Sequence, residues 1–177
     1  MNFIICALKA EAQAFKEYYK LKKISYENIT FFQNEDITLF TTGLGNETMQ
    51  KNLPFFLSHF ELKKEDKIIN VGICAAPKSY KVGELCFIST IMYNNEKFIL
   101  NNKNYNTIAS LDFPATKEYS TFIDMESFGF YKALEQKEVQ KFMFKIVSDH
   151  FEPQSVTKDF AKKLIFEKIA QIMESIG

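Results

Sequence analysis

Hydrophobic runs and amphipathic segments alternate along this chain, and the two patterns predict different elements. Continuous apolar stretches, most clearly NFIICA, DKIINVGICA and KFMFKIVSD, are typical of strands buried on both faces. Helix-forming residues dominate KAEAQAFKEYYK, ETMQKNLPFFLSHF and SFGFYKALEQK, which predict three helices. Pro54 is expected to kink or shorten the second of these.

A fourth helix is predicted from about Thr157 to Ser175, because apolar residues recur there at helical spacing. Its apolar face consists of Phe160, Leu164, Ile165, Ile169, Ile172 and Ile176. Further strands are predicted in ITFFQNEDITLFTT (a pair joined at NED), GELCFISTIMY, EKFIL, NTIASLD and the segment 121–123. Strands alternating with helices predict a single α/β domain over residues 1–177, with a largely parallel or mixed central sheet.

Composition narrows the class of protein. The formal net charge is zero and the lysines are scattered, which argues against a nucleic-acid partner. No segment reaches the roughly 18 consecutive apolar residues of a membrane span. The first residues lack a basic leader, so no signal peptide is expected.

Cys6, Cys74 and Cys86 lie in apolar strand-like runs. This pattern predicts that they are reduced core residues, and hence that the protein is cytoplasmic.

The sequence contains no arginine, so all 22 basic residues are lysines. Any function that needs a planar guanidinium fork, such as bidentate binding of phosphate, therefore has to use other donors in this chain.

Candidate chemistry lies where the predicted strands end, since the carboxyl ends of parallel strands meet at one edge of a sheet. The segments at these ends are 9–11, 43–46, 72–76, 112–113, 124–126 and 148–150. Glu11, Glu126 and Asp149 are acids within this set. Each alone has a structural explanation, because acids favour the first turn of a helix or cap a turn. Together they predict several carboxylates on one edge of the sheet.

Two glycine-containing segments leave alternatives open. GLGN, with Gly43 and Gly45, is compatible with a phosphate-cradling loop at a helix start and with a tight strand-to-helix turn. GICAAP is small and apolar, which suits either a close ligand or a closely packed helix.

Five segments, in order along nearly the whole chain, resemble the nucleoside phosphorylase superfamily, and within it most closely the 5′-methylthioadenosine/S-adenosylhomocysteine nucleosidases. The segments are IICALKAEAQAF, TTGLGNETMQ, DKIINVGICAAPKSYKVGELCFIS, FIDMESFGFYKA and FKIVSD. The resemblance implies a single-domain three-layer α/β/α fold with a mixed central sheet, in a shortened form of the family. It further implies a homodimer that acts on a small nucleoside without cofactor or metal.

The resemblance also implies roles for the sugar and base contacts. Glu126 would accept hydrogen bonds from the ribose 2′- and 3′-hydroxyls, and Met125 would pack against the sugar. Asp149 would be the general acid at the purine N7, with Ser148 orienting it. Phe113 would stack on the purine.

The same comparison implies a nucleophile site. Glu11 would be the general base for an attacking water. Gly43, Gly45, Lys145 and Ile73 would border the nucleophile or an anion; Ile73 stands where the family commonly has serine and Lys145 where it often has arginine.

Three functions agree with these residues. The first is hydrolysis of the N-glycosidic bond of a purine-type nucleoside, since bond cleavage places positive charge on the sugar and requires a proton for the leaving base. The second is phosphorolysis, which the absence of arginine disfavours. The third is a nucleoside-binding module of the same fold that does not turn over.

Overall fold

The computed structural model describes residues 1–177 and contains ten strands. In chain order they are β1 (Asn2–Cys6), β2 (Lys22–Tyr26), β3 (Ile29–Gln33), β4 (Ile37–Thr41), β5 (Lys67–Ala75), β6 (Leu85–Tyr93), β7 (Glu96–Ile99), β8 (Asn106–Ser110), β9 (Phe122–Asp124) and β10 (Gln140–Asp149). All strands predicted from the hydrophobic runs are present.

Five α-helices accompany the strands. They are α1 (Lys9–Tyr18), α2 (Asn46–Leu57), α3 (Ser127–Leu134), α4 (Lys158–Phe166) and α5 (Ile169–Ile176). Pro54 lies inside α2, which ends three residues after it. None of these helices is both long enough and apolar enough to cross a bilayer.

The prediction of one uninterrupted helix from Thr157 to Ser175 was wrong. The chain breaks at Glu167 and Lys168 and restarts as α5, where Ile169, Ile172 and Ile176 are buried. The apolar face was therefore predicted well, but not the two-residue interruption within it. No glycine or proline marks the break.

All ten strands belong to one mixed sheet. Strands β4, β1, β5 and β10 run parallel in that order. Beyond them the pairings β10–β6, β6–β8, β8–β9 and β9–β5 close five strands into a ring. Only β2 and β7 have a single partner, so they are the edge strands.

Helices cover both faces of the sheet, which gives the predicted three-layer α/β/α arrangement. Helices α2 and α3 pack together over one hydrophobic cluster, which includes Phe56 and Phe130. Helices α1 and α4 pack together over the second cluster, which includes Phe15 and Ile165.

A close approach of α2 to α3 brings together the loops that precede these two helices. A Cβ atom on Gly129 of α3 would clash with the backbone of Asn46, the first residue of α2. The Asn46 side chain accepts hydrogen bonds from the Gly129 N–H (2.9 Å) and the Ser110 hydroxyl (3.0 Å). The loop that precedes α2 is thereby held beside the loop that precedes α3.

Candidate active site

A cavity of about 550 Å³ opens at the carboxyl ends of β1, β5 and β10, within the size range of small-molecule sites. Glu11, Met125, Glu126, Ser148 and Asp149 all line it. With Ile73, which also lines the cavity, the structure brings together six of the site residues predicted from the sequence. The parallel strands β1 and β10 end at this edge, which explains the position of Glu11, Ser148 and Asp149. Met125 and Glu126 arrive from β9, which is antiparallel to β5 and pairs with its last residue, Ala75.

Glu11 is almost completely buried, and three backbone N–H groups hold its carboxylate. Oε2 accepts hydrogen bonds from Ala7 (3.1 Å) and Leu8 (2.9 Å), and Oε1 accepts one from Ile73 (3.0 Å). Burial raises the pKa of Glu11, whereas the Leu8 N–H and the charge of Lys145 act in the opposite direction. All three hydrogen-bonding partners are donors and favour the charged carboxylate, whereas burial favours its protonated form.

Glu126 stands between β9 and α3 with one carboxylate oxygen committed to the protein. Its Oε1 accepts a hydrogen bond from the Gly45 N–H at 2.8 Å. Burial raises the pKa of Glu126 to about 7, and the charge of Asp124 adds to this shift. The side chain lines the cavity, so the second oxygen is available to a ligand.

Asp149 ends β10, and both of its carboxylate oxygens accept hydrogen bonds. Oδ1 accepts from the Glu152 N–H (2.8 Å) and Oδ2 from the Ser148 hydroxyl (2.7 Å). The Ser148 hydroxyl also lies 3.1 Å from the Cys74 carbonyl oxygen. The Ser148 hydroxyl can thus donate to Asp149 Oδ2 or to the Cys74 carbonyl oxygen, and when it donates to Cys74 its oxygen can accept a hydrogen bond from a carboxyl O–H.

Lys145 is fully buried in the middle of β10, beneath the cavity. Its ammonium forms an ion pair with Asp124 at 2.7 Å. Burial alone lowers the pKa of Lys145, but Asp124 and Glu126 together raise it above the usual value. Lys145 is therefore charged and already paired, and it does not line the cavity where the sequence predicted an anion site.

The GLGN loop also differs from a phosphate-binding loop. Gly43 and Gly45 adopt φ angles of +97° and +95°, which favour glycine. The Gly43 N–H donates to the Ala7 carbonyl (3.2 Å), and the Gly45 N–H donates to Glu126. Because both groups have protein partners, the alternative of a tight strand-to-helix turn fits the structure better than an anion cradle.

The position of Phe113 differs from the predicted position beside the base. Its side chain is 60% exposed and does not line the cavity, whereas its neighbours Pro114 and Ala115 do. The register inferred from sequence was thus displaced by one or two residues in a loop. Ile73 does line the cavity, and its backbone rather than its side chain contacts Glu11.

Other residues at the site were not predicted. Asp124 lies in the segment 124–126, but the sequence predicted no role for it. Its ion-pair partner Lys145 is distant in sequence, so no local pattern indicated the pair. Lys9 and Lys158 line the cavity at the first residues of α1 and α4. The helix-start pattern could have indicated both positions, but not that the two helices meet.

Comparison with known proteins supports the fold. No protein-family model matches the chain, and no curated protein matches it. Many solved structures do match, and this similarity supports the nucleoside phosphorylase-like α/β fold predicted above. Those described here are all 5′-methylthioadenosine/S-adenosylhomocysteine nucleosidases.

Three of these structures illustrate the similarity. The enzyme from Neisseria meningitidis, in complex with methylthio-immucillin-A, has a TM-score of 0.78 at 15% identity, and the match covers 98% of each chain. The enzyme from Colwellia psychrerythraea, in complex with adenine, has a TM-score of 0.74 at 17% identity over 96% of this chain and 94% of that one. The enzyme from S. pneumoniae, with a transition-state inhibitor, has a TM-score of 0.78 at 14% identity over 99% and 98%. At these identities the similarity establishes the fold.

Proposed function

We propose that this protein hydrolyses the N-glycosidic bond of a purine-type nucleoside, with substrates like methylthioadenosine or adenosylhomocysteine. The observation that carries the proposal is the convergence of Glu11, Glu126 and Asp149 on one cavity of about 550 Å³. Structures of the same fold with adenine or a transition-state inhibitor bound support a purine nucleoside as ligand.

Glu126 is the proposed sugar-binding residue. Ribose 2′- and 3′-hydroxyls would donate to its free carboxylate oxygen, and Met125 would pack against the ring. As the bond to the base breaks, positive charge develops on the sugar, and a nearby carboxylate stabilises it. A buried acid without such a partner is costly, which gives a functional reason for its position.

Asp149 is the proposed general acid for the leaving base. The two hydrogen-bonding positions of Ser148 would keep the Asp149 carboxyl in one orientation both before and after it gives up the proton. Constant orientation favours proton transfer, because the donor must remain within hydrogen-bond reach of the purine nitrogen.

Glu11 is the proposed general base, with water as the nucleophile. Phosphate is disfavoured because a dianion in a desolvated site needs several charge-assisted donors. The chain contains no arginine, Lys145 is paired with Asp124, and Glu11 itself would repel an anion.

Incubation of the protein with a nucleoside panel in phosphate-free buffer is expected to yield free base and free pentose. Added phosphate should not raise the rate, because Lys145 is paired with Asp124 and the charge of Glu11 would repel a phosphate dianion. Chromatography of base and pentose measures both products. Asp149→Asn serves as the inactive control for contaminating nucleosidases.

Strict dependence on phosphate, with pentose 1-phosphate as product, would contradict this proposal in favour of a phosphorylase. Binding of a nucleoside without any turnover would instead support the non-catalytic module.

We further propose that the chain acts as one domain of residues 1–177 in a homodimer. Two large apolar side chains at or beside the cavity rim support this: Leu44 is 54% exposed and lines the cavity, and Phe113 is 60% exposed next to the cavity-lining residue Pro114. A second copy that covers them would bury apolar surface and close the site.

Light scattering at micromolar concentration is expected to give twice the chain mass of 20.6 kDa. Phe113→Lys should shift the mass towards the monomer, because a charge would be buried without a partner. Tyr26→Lys is the matched control, since Tyr26 is 57% exposed on the edge strand β2, away from the cavity. A monomeric wild-type protein would refute the dimer.

The cytoplasm is the proposed location. All three cysteines are free and buried, and none forms a disulfide. Reduced thiols in the core are compatible with the reducing conditions of that compartment.

A further inference from the structure

The segment before α3 contains two acids, and the proposed nucleosidase reaction uses only Glu126. The other, Asp124, is completely committed to the protein. Its carboxylate accepts hydrogen bonds from the Ser127 N–H (3.2 and 3.1 Å) and the Ser127 hydroxyl (2.6 Å), and it forms the ion pair with Lys145. Only 1% of its side chain is accessible. Asp124 therefore has little capacity left for a ligand.

The partner of Asp124 lies among the other acids of the site. Lys145 lies near Asp124, Glu126 and Glu11. The negative charges of these three acids raise the pKa of the Lys145 ammonium. A Cβ atom at Gly72, which pairs with Lys145 across β5 and β10, would stand 3.3 Å from the Lys145 ammonium and 3.0 Å from Glu11 Oε1. The ammonium and Glu11 thus share the space that glycine leaves empty.

Although three carboxylates are near, the Lys145 ammonium forms an ion pair with Asp124 only. An ammonium on a flexible stem would otherwise pair with Glu126, whose Oε1 is already bound by Gly45. Such a pair would occupy the oxygen that faces the cavity and compete with any hydroxyl ligand. Removal of Lys145 would have the opposite fault, because several buried carboxylates would then lack a compensating charge.

We propose that Asp124 is a positioning residue that holds the Lys145 ammonium below the cavity, close enough to balance Glu11 and Glu126 but away from the ligand-facing oxygen of Glu126. Ser127 completes the unit, since its hydroxyl and N–H fix the Asp124 carboxylate. The role in substrate binding rests on the proposed nucleosidase function, whereas the control of the charge on Glu126 does not.

Asp124→Asn tests the proposal without any substrate. In this variant Glu126 loses a repelling neighbour and gains the released ammonium, so its pKa should fall by about one unit or more. The charged or titratable groups that face Glu126 are Asp124, Lys145 and Glu11. Carbon-13 NMR titration of the carboxyl groups measures the shift, and the resonance of Glu126 is assigned by its loss in Glu126→Gln. An unchanged pKa would refute the positioning role even if no nucleoside were ever hydrolysed.

Kinetics on an active nucleoside supply the second test. In Asp124→Asn, KM should rise about tenfold, because the ribose hydroxyls must displace the ammonium from Glu126, and the acid limb of the pH profile should move to lower pH. Asp124→Glu, which restores the charge, should recover most of the loss. A KM and an acid limb equal to those of the wild type would contradict the proposal.

Two further variants separate positioning from simple stability. Asp66→Asn is the matched control, because Asp66 is a buried acid paired with the N-terminal ammonium, away from the cavity. It should lose stability with no change in KM or in the Glu126 titration.

Should Asp124→Asn fail to fold, Ser127→Ala keeps both charges and removes one donor to Asp124. It should raise KM about threefold, in the range of one hydrogen bond; a KM equal to that of the wild type in this variant would refute the role of the unit.

Discussion

Replacement of Glu126 by glutamine is expected to lower turnover by about a hundredfold or more, the scale of one strong transition-state contact. Glutamine keeps the shape and can still accept a hydrogen bond from the Gly45 N–H, but it removes the negative charge that we propose faces the sugar. Initial rates of base release measure the effect. Glu47→Gln, on the exposed side of the first turn of α2, is the matched control and should retain full turnover. Turnover near the wild-type value in Glu126→Gln would mean that this acid is structural.

The same substitution is expected to make the folded protein more stable at alkaline pH. The folded pKa of Glu126, about 7, is raised from its usual value of 4.5, so between these values the folded chain keeps a proton that the unfolded chain has lost. Stability from this group is thus present below about pH 4.5 and is lost as the pH rises through 7. Glutamine removes the loss, which should raise the free energy of unfolding by about 1 to 3 kcal/mol at about pH 8.

Urea unfolding at two pH values measures this difference. The gain should vanish at about pH 4, where Glu126 is protonated in both states. A gain in stability together with a loss of turnover would show that Glu126 supports activity but lowers the free energy of unfolding. Equal stability of both proteins at alkaline pH would mean that burial does not disfavour the charged form of Glu126.

Replacement of Lys145 by methionine should have the largest effect on stability, a loss of about 3 to 5 kcal/mol, because it leaves Asp124 buried and unpaired. Lys162→Met is the matched control: Lys162 pairs with Glu17 at the surface, where such pairs contribute at most about 1 kcal/mol. Urea unfolding at neutral pH distinguishes the two variants.

A double-mutant cycle identifies the cause. Asp124→Asn combined with Lys145→Met removes both charges, so the double variant should recover much of the stability lost in Lys145→Met. If the two losses were simply additive, the 2.7 Å ion pair would not be the source of the effect.

The parts of the fold that depend on local pattern were predictable from the sequence. Runs such as DKIINVGICA gave the buried strands, and the spacing of Ile165, Ile169 and Ile172 gave the buried face of α4 and α5. Strand β2 was missed because all five of its residues are exposed and show no alternation. The ring of five strands depends on pairings between segments distant in sequence, which no local pattern specifies.

The site was predictable to the extent that it follows strand ends. Glu11 and Asp149 converge because the parallel strands β1 and β10 end at one edge of the sheet. Glu126 reaches the same cavity from β9, which is antiparallel to β5 and pairs with it at Ala75, the last residue of β5. The pairing of Asp124 with Lys145 was not predictable, since it depends on a mid-strand side chain passing beneath the cavity. Phe113 was misplaced because its loop has no periodicity from which a register can be read.

The two edge strands also determine how the protein behaves when it is crowded. Nineteen phenylalanines make a chain prone to aggregation if strand edges are open to another copy. Closure of five strands into a ring leaves only β2 and β7 with a single partner strand. β2 begins with Lys22 and Lys23, both exposed, and β7 carries Glu96 and Lys97 on its exposed part. Addition of a second copy of β2 would bring Lys22 and Lys23 of the two strands close together, so these lysines disfavour fibrillar growth at that edge.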